Sequence, residues 1–114
     1  MKRLFALLLL VISLPVLSEE LDTPSYNITI QSNCEEGSVS CDNVSYTGVN
    51  KKSGKSITLK GSTSHTLCAD GVTPCRFLGY QFKNGDTSYF VSEEGGLEVT
   101  NGDEVLVSET GTWR

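Results

Sequence analysis

Two cysteine pairs of identical spacing constrain this chain more than any other feature. Residues 34–41 have the sequence CEEGSVSC and residues 68–75 the sequence CADGVTPC, so each pair encloses six residues, with an acid and then a glycine near the middle. A chain of 114 residues buries only a modest core and gains stability from cross-links. The spacing therefore predicts a small, disulfide-stabilised domain.

The four cysteines allow three pairings, of which the sequence favours the local one. Cys34–Cys41 and Cys68–Cys75 would each close a short loop that turns at a glycine. Pairing Cys34 with Cys75 and Cys41 with Cys68 would close longer loops, which stabilise more in the chain-entropy model. The preference for local disulfides therefore depends on loop geometry alone. Zinc is disfavoured, because structural zinc sites use C-x₂₋₄-C spacing and thiolates, and we expect no metal or cofactor.

The N-terminal segment has the pattern of an export signal. Lys2 and Arg3 precede an apolar run over residues 5–12, and short side chains before position 19 allow cleavage after Ser18. The apolar run is shorter than the roughly 20 residues of a membrane-spanning helix. We therefore predict that residues 1–18 are a cleaved signal peptide, that no transmembrane span remains, and that the protein is periplasmic or secreted.

Removal of this segment would make an acidic chain more acidic. The loss of Lys2 and Arg3 changes the formal charge from −5 to −7. Such a chain repels nucleic acid, which excludes it as a partner, and is steered towards a protein partner with a basic surface. The simpler interpretation is that the charge keeps an exported protein soluble.

The pattern of the remaining sequence is typical of an all-β protein. Residues 19–25 are acidic and contain a proline, which predicts a flexible leader, whereas residues 26–30 alternate between apolar and polar side chains. Residues 77–83 and 87–91 flank Asn84-Gly85, which predicts a hairpin with a type I′ turn. No helical period is sustained. We expect residues 26–114 to form one small antiparallel barrel or sandwich of about seven or eight short strands.

An internal duplication is a further hypothesis. Aligning residues 34–61 with residues 68–95 without gaps gives six identities, which include both cysteines, a glycine and the pair Tyr46 and Tyr80. Glycine-rich β sequences also match each other by chance, so coincidence of turn chemistry explains the pattern equally well.

Few residues have the arrangement that catalysis needs. His65 is the single histidine, it lies in a polar run, and no G-x-S-x-G motif is present. The acid pairs at residues 93–94 and 103–104 are adjacent in sequence, and neighbours on a strand point to opposite faces. We therefore expect a protein without catalytic residues. A small hydrolase that uses His65 is the weakest of the functional hypotheses.

The better functional candidate is the second cysteine loop. Its binding residues would be Asp70, Gly71, Val72 and Thr73, because a loop closed by a disulfide loses less entropy on binding, and Pro74 favours an extended Thr73. The alternative is that the disulfides only stabilise a small fold. The leading hypothesis is thus a non-catalytic protein-binding or inhibitory module, and the second is a structural or accessory envelope protein without a tight soluble target.

Overall fold

The computed structural model describes residues 17–35 and 37–114, which form nine β-strands and no helix. The strands are β1 (Leu17–Asp22), β2 (Tyr26–Ser32), β3 (Val44–Asn50), β4 (Ser56–Leu67), β5 (Pro74–Asn84), β6 (Thr87–Ser92), β7 (Gly96–Asn101), β8 (Glu104–Thr110) and β9 (Thr112–Trp113). The predicted signal peptide lies outside the described residues except for its last two positions, so its cleavage stays a prediction.

All nine strands belong to one antiparallel sheet that nearly closes into a barrel. The strand order is β8-β7-β6-β5-β4-β3-β2-β1-β9, so each strand from β1 to β8 pairs with its neighbour in sequence. The short β9 follows β8 and pairs with β1, with Leu21 opposite Trp113. The prediction of an all-β fold is therefore confirmed, with the barrel as the correct alternative and with one or two more strands than expected.

The prediction of a flexible leader over residues 19–25 is wrong for most of that segment. Residues 19–22 belong to β1, which pairs with both β2 and β9, and Leu21 is fully buried. The segment Glu-Glu-Leu-Asp holds one apolar residue and shows no alternation, so only its long-range partners make it a strand. The turn at Pro24 then separates β1 from β2.

The predicted hairpin is confirmed as β5 and β6, but its turn differs from the expected type. Asn84 pairs with Thr87, which leaves Gly85 and Asp86 as the two central residues. Gly85 has a φ of 63°, and no described residue other than glycine has a positive φ. A type I′ turn needs positive φ at both central positions, whereas a single glycine at the first is the type II′ pattern. The Gly102-Asp103 turn, with Gly102 at 60°, repeats it.

The core lies inside the barrel, where every second residue of a strand points inwards and many of these residues are apolar. Ile30 on β2 pairs with Tyr46 on β3, and these two residues, Ile28 on β2 and Val44 on β3 are all at most 1% exposed. The Tyr46 ring lies 5.1 Å from the ring of Phe82 on β5, the strand on the other side of β4. Burial of an aliphatic side chain of this size contributes about 1.5–3 kcal/mol, so these positions hold the sheet closed.

The barrel has two ends that differ in their connections. Because neighbouring strands alternate in direction, loops 33–43 and 68–73 and turn 93–95 lie at one end, which we call the disulfide end. The turns that connect β1 to β2, β3 to β4, β5 to β6 and β7 to β8 lie at the opposite end, which we call the turn end. Strands β4 and β5 are the longest, with 12 and 11 residues, and their pairing continues to Leu67 and Pro74, beyond the ends of β3 and β6.

The hypothesis of a duplication aligns the hairpin β3–β4 with the hairpin β5–β6. Tyr46 and Tyr80 are both buried, and Gly37 and Gly71 both have positive φ. An up-and-down barrel repeats hairpins by its nature, so the duplication stays a prediction.

Candidate functional site: the disulfide end

Both predicted disulfides are present. Cys34 is bonded to Cys41 with a Cα–Cα distance of 5.8 Å, and Cys68 to Cys75 with a distance of 5.1 Å. Their presence favours an oxidising environment of the kind that exported proteins meet. Over the described residues, no helix has the length and apolar character needed to cross a membrane.

The first disulfide loop, residues 33–43, is attached to the barrel. Cys41 is 6% exposed and belongs to the hydrophobic core. Its backbone N–H donates to Thr63 Oγ1 at 3.0 Å, and the Thr63 N–H donates to the Cys41 carbonyl oxygen at 2.9 Å. At the base of the loop, the Asn33 N–H donates to the Asn43 carbonyl oxygen at 2.9 Å. The loop is therefore held by the extended β4 strand as well as by its own disulfide.

The second disulfide loop, residues 68–75, is organised by its own residues. Asp70 Oδ1 accepts hydrogen bonds from the backbone N–H groups of Val72 and Thr73 at 2.9 and 2.8 Å, and Oδ2 accepts one from the Thr73 hydroxyl. Across the ring, the Cys68 N–H donates to the Thr73 carbonyl oxygen at 2.8 Å. An aspartate that satisfies the N–H groups two and three residues ahead forms an Asx-type turn. Its side chains are exposed apart from Cys68 and Pro74, which are partly buried.

The same hydrogen bonds lower the pKa of Asp70 to about 2. The largest cause is the hydrogen bond from the Thr73 hydroxyl, followed by the backbone N–H groups of Thr73 and Val72. A carboxylate that accepts several hydrogen bonds resists protonation. Its contribution to loop order is therefore complete above the ordinary value of 3.8 and is lost as the pH falls through about 2.

Exposed apolar side chains and acidic residues meet at the disulfide end. Val39, Leu67 and Val72 are 71%, 59% and 77% exposed, and all three lie on or beside the two loops. The two loops and turn 93–95 together contain six acidic and no basic residues, and Arg76 follows directly after the second loop. The disulfide end therefore combines exposed apolar side chains with negative charge.

His65 lies below this surface, on β4, and is partly buried. Its ring meets the Phe77 ring at 5.4 Å, and Phe77 in turn packs edge-on against Tyr80 at 5.2 Å. These aromatic rings and the first disulfide loop line a cavity of about 210 Å³. Within the described ranges, Lys51 and Asp22 form the one ion pair, so His65 has no carboxylate partner there.

The two pairs of adjacent acidic residues, 93–94 and 103–104, lie at opposite ends of the barrel. Residues 93–94 are in the β6–β7 turn at the disulfide end, whereas Asp103 and Glu104 are in and after the β7–β8 turn at the turn end. In the part of the chain that the structure describes, no three His, Cys, Asp or Glu side chains are grouped as metal ligands.

The structure brings Asp70, Gly71, Val72 and Thr73 together as one ordered loop, and it adds residues that the sequence reasoning missed. The Asp-Gly-x-Thr spacing is a recognisable Asx-turn signal that could have identified the hydrogen bonds of Asp70. Thr63 gives no such signal, because its partner Cys41 is 22 residues away in sequence. Val39 and Leu67 are single apolar residues in polar surroundings, and only the fold places them at the same end of the barrel as Val72.

Comparisons of the chain with protein-family models, with curated proteins and with solved structures find no match.

Proposed function

We propose that this protein is an exported, non-catalytic binding or inhibitory module that presents the second disulfide loop to a protein partner with a basic surface. The observation that carries the proposal is the combination of order and exposure in this loop. Its disulfide and the hydrogen bonds of Asp70 fix the backbone, while Val72 at its tip is 77% exposed.

This combination is favourable for binding for two physical reasons. A loop that is ordered in the free protein loses less conformational entropy when it docks. An apolar tip can enter a pocket of the partner and be fully desolvated, as the strongest contacts of interfaces are. The six acidic residues of the disulfide end would add electrostatic steering towards a basic partner.

The experiment is capture by the purified protein with both disulfides formed, from envelope and secreted extracts at low and moderate salt. Val72→Asp removes the apolar tip and keeps the backbone N–H groups that bind Asp70. Val105→Asp is the matched control, because Val105 is a 55% exposed valine at the turn end. We expect a stoichiometric protein that is retained by the parent and by Val105→Asp, that is lost from Val72→Asp, and whose retention weakens as salt increases.

Other outcomes would favour the other hypotheses. If the folded protein retains no stoichiometric partner, a structural or accessory role in the envelope is favoured. If both aspartate variants retain the partner equally, the second loop is not the binding surface. His65→Ala tests the hydrolase: loss of a measured hydrolytic activity without loss of the fold would revive it.

A further inference from the structure

The barrel interior is not filled at the turn end, opposite the disulfide loops. A cavity of about 380 Å³ opens there between strands β2–β4 and β6–β8. Apolar and aromatic side chains supply much of its wall, among them Ile57, Tyr89, Leu97 and Val99. Its volume lies in the range of small-molecule sites, and such sites are mostly apolar with a few convergent polar groups.

The polar groups of this cavity include the hydroxyl of Tyr46. Tyr46 lines the cavity and is 1% exposed as a whole, and its hydroxyl forms no hydrogen bond with any described residue. Among the described residues, every fully enclosed side-chain nitrogen or oxygen has a hydrogen-bond partner, so the unpartnered Tyr46 hydroxyl is reached by solvent through the cavity. Burial raises the pKa of Tyr46, and the nearby phenols of Tyr89 and Tyr26 raise it further. The phenol therefore stays protonated and can donate a hydrogen bond. A donor that no protein group engages is available to a bound acceptor, which would replace solvent at this position.

Gly48 on β3 makes room for this hydroxyl. Residues two apart on a strand share a face, so a side chain at position 48 would stand beside Tyr46. A Cβ atom there would lie 2.7 Å from Tyr46 Oη and 2.9 Å from Tyr46 Cε1. Because position 48 is a glycine, the Tyr46 ring can extend along the strand towards the turn end and place its hydroxyl in the cavity.

A β-bulge adds an apolar side chain to the mouth of the cavity. Val99 pairs with Val107 and Thr100 with Val105, which leaves Leu106 as an extra residue in β8. In a regular strand, Leu106 and Val107 would face opposite sides, yet both line the cavity. Leu106 is 49% exposed. Bulges at barrel rims commonly redirect a side chain in this way.

We propose that this cavity binds a small amphipathic carboxylate. Its aliphatic part packs against Ile57, Leu97 and Leu106, and its carboxylate accepts a hydrogen bond from the Tyr46 hydroxyl. Lys55 lies at the rim of the cavity and has no ion-pair partner among residues 17–35 and 37–114, so it supplies the complementary charge. This site is separate from the disulfide end and does not depend on the function proposed there.

The test is calorimetric titration of the purified, oxidised protein with octanoate, 1-octanol and octylammonium, three probes of equal chain length. We expect octanoate to bind with one-to-one stoichiometry and more tightly than the other two. Tyr46→Phe keeps the ring and removes the donor, so octanoate should bind at least about tenfold more weakly. Tyr80→Phe is the matched control, because its hydroxyl meets Glu19 at 3.4 Å near the opposite end; its affinity for octanoate should be unchanged.

A second pair of variants keeps the test decisive if Tyr46→Phe fails to fold. Leu106→Asp places a negative charge at the mouth and should abolish octanoate binding, whereas Val105→Asp, which does not line the cavity, should leave it unchanged. The proposal is overturned if octanoate does not bind, if octylammonium binds as tightly, or if folded Tyr46→Phe or Leu106→Asp binds octanoate like the parent.

Discussion

The two disulfide loops have the same length and the same glycine position, yet they are held in different ways. The first is attached to the barrel through Thr63 and through the buried sulfur of Cys41. The second is attached only at its ends, and Asp70 organises it from within. An identical covalent ring therefore belongs to a loop that is anchored to the barrel wall in one place and to a loop that is exposed in the other.

The two loops are held differently because different residues surround them, and not because their disulfide rings differ. Gly37 and Gly71 both take the left-handed region, with φ of 91° and 74°. The first loop folds back onto β4, whereas the second lies at the tip of the β4–β5 hairpin, beyond the strands on either side. Changes in the first loop should therefore lower the free energy of unfolding of the protein more than changes in the second. Changes in the second loop should mainly affect the order of that loop itself.

The largest expected losses of stability come from removing each disulfide, and they should differ between the loops. Both rings have a sequence separation of 7, so the chain-entropy contribution of each is about 2–3 kcal/mol. Replacing Cys34 and Cys41 by alanine also removes buried packing, so we expect an additional loss of about 1 kcal/mol relative to replacing Cys68 and Cys75. Denaturant unfolding measures both double variants. Equal losses would mean that the packing of Cys41 in the core adds nothing to the stability that its disulfide provides.

Smaller losses of stability, which should again differ between the loops, are expected for two threonine-to-valine substitutions. Thr63→Val leaves the part-buried Cys41 N–H without its acceptor and should lower the free energy of unfolding by about 1–2 kcal/mol. Thr73→Val, in the exposed second loop, should change it by less than about 0.5 kcal/mol. The same unfolding experiment compares them. A larger loss for Thr73→Val would reverse the roles of the two loops.

Asp70→Ala should loosen the second loop without unfolding the protein. The N–H groups of Val72 and Thr73 lose their acceptor, so their hydrogen exchange should accelerate by roughly tenfold, while the free energy of unfolding stays within about 0.5 kcal/mol. Asp42→Ala in the first loop is the control and should leave those two rates unchanged. Unchanged exchange in Asp70→Ala would show that the disulfide alone orders the loop.

The smallest expected effect is a change in the pKa of Asp70. Carboxyl chemical shifts should give a pKa of about 2, and Thr73→Val should raise this pKa towards 3.8, because the largest cause of the shift is removed. Val72→Ala keeps the backbone donor and should leave the pKa unchanged. A pKa near 3.8 in the parent would mean that these hydrogen bonds do not persist in solution.

Features that depend on near neighbours in sequence could be predicted, and those that depend on distant ones could not. The hairpin β5–β6 and both disulfides join segments a few residues apart, so alternation and loop geometry were sufficient to predict them. Among residues 18–22 of strand β1, Leu21 alone is fully buried, and the segment becomes a strand only because β2 and β9 flank it.

The candidate sites follow the same rule. The residues of the second loop are contiguous, so Asp70 to Thr73 could be selected from the sequence. The cavity at the turn end joins Tyr46 on β3 with Leu106 on β8, and a bulge with no signature in the sequence places Leu106 there. Closure of the barrel, which no local pattern encodes, creates that site.

The proposed function requires that the second disulfide loop is already ordered in the free protein. The most direct test is ¹⁵N relaxation of the free, oxidised protein, which compares the backbone order of residues 68–75 with that of the neighbouring strands. We predict order parameters near 0.85 for the N–H groups of Gly71, Val72 and Thr73, the value of rigid backbone. Values below about 0.6 at these positions would contradict the account, because the loop would then have to be ordered by its partner.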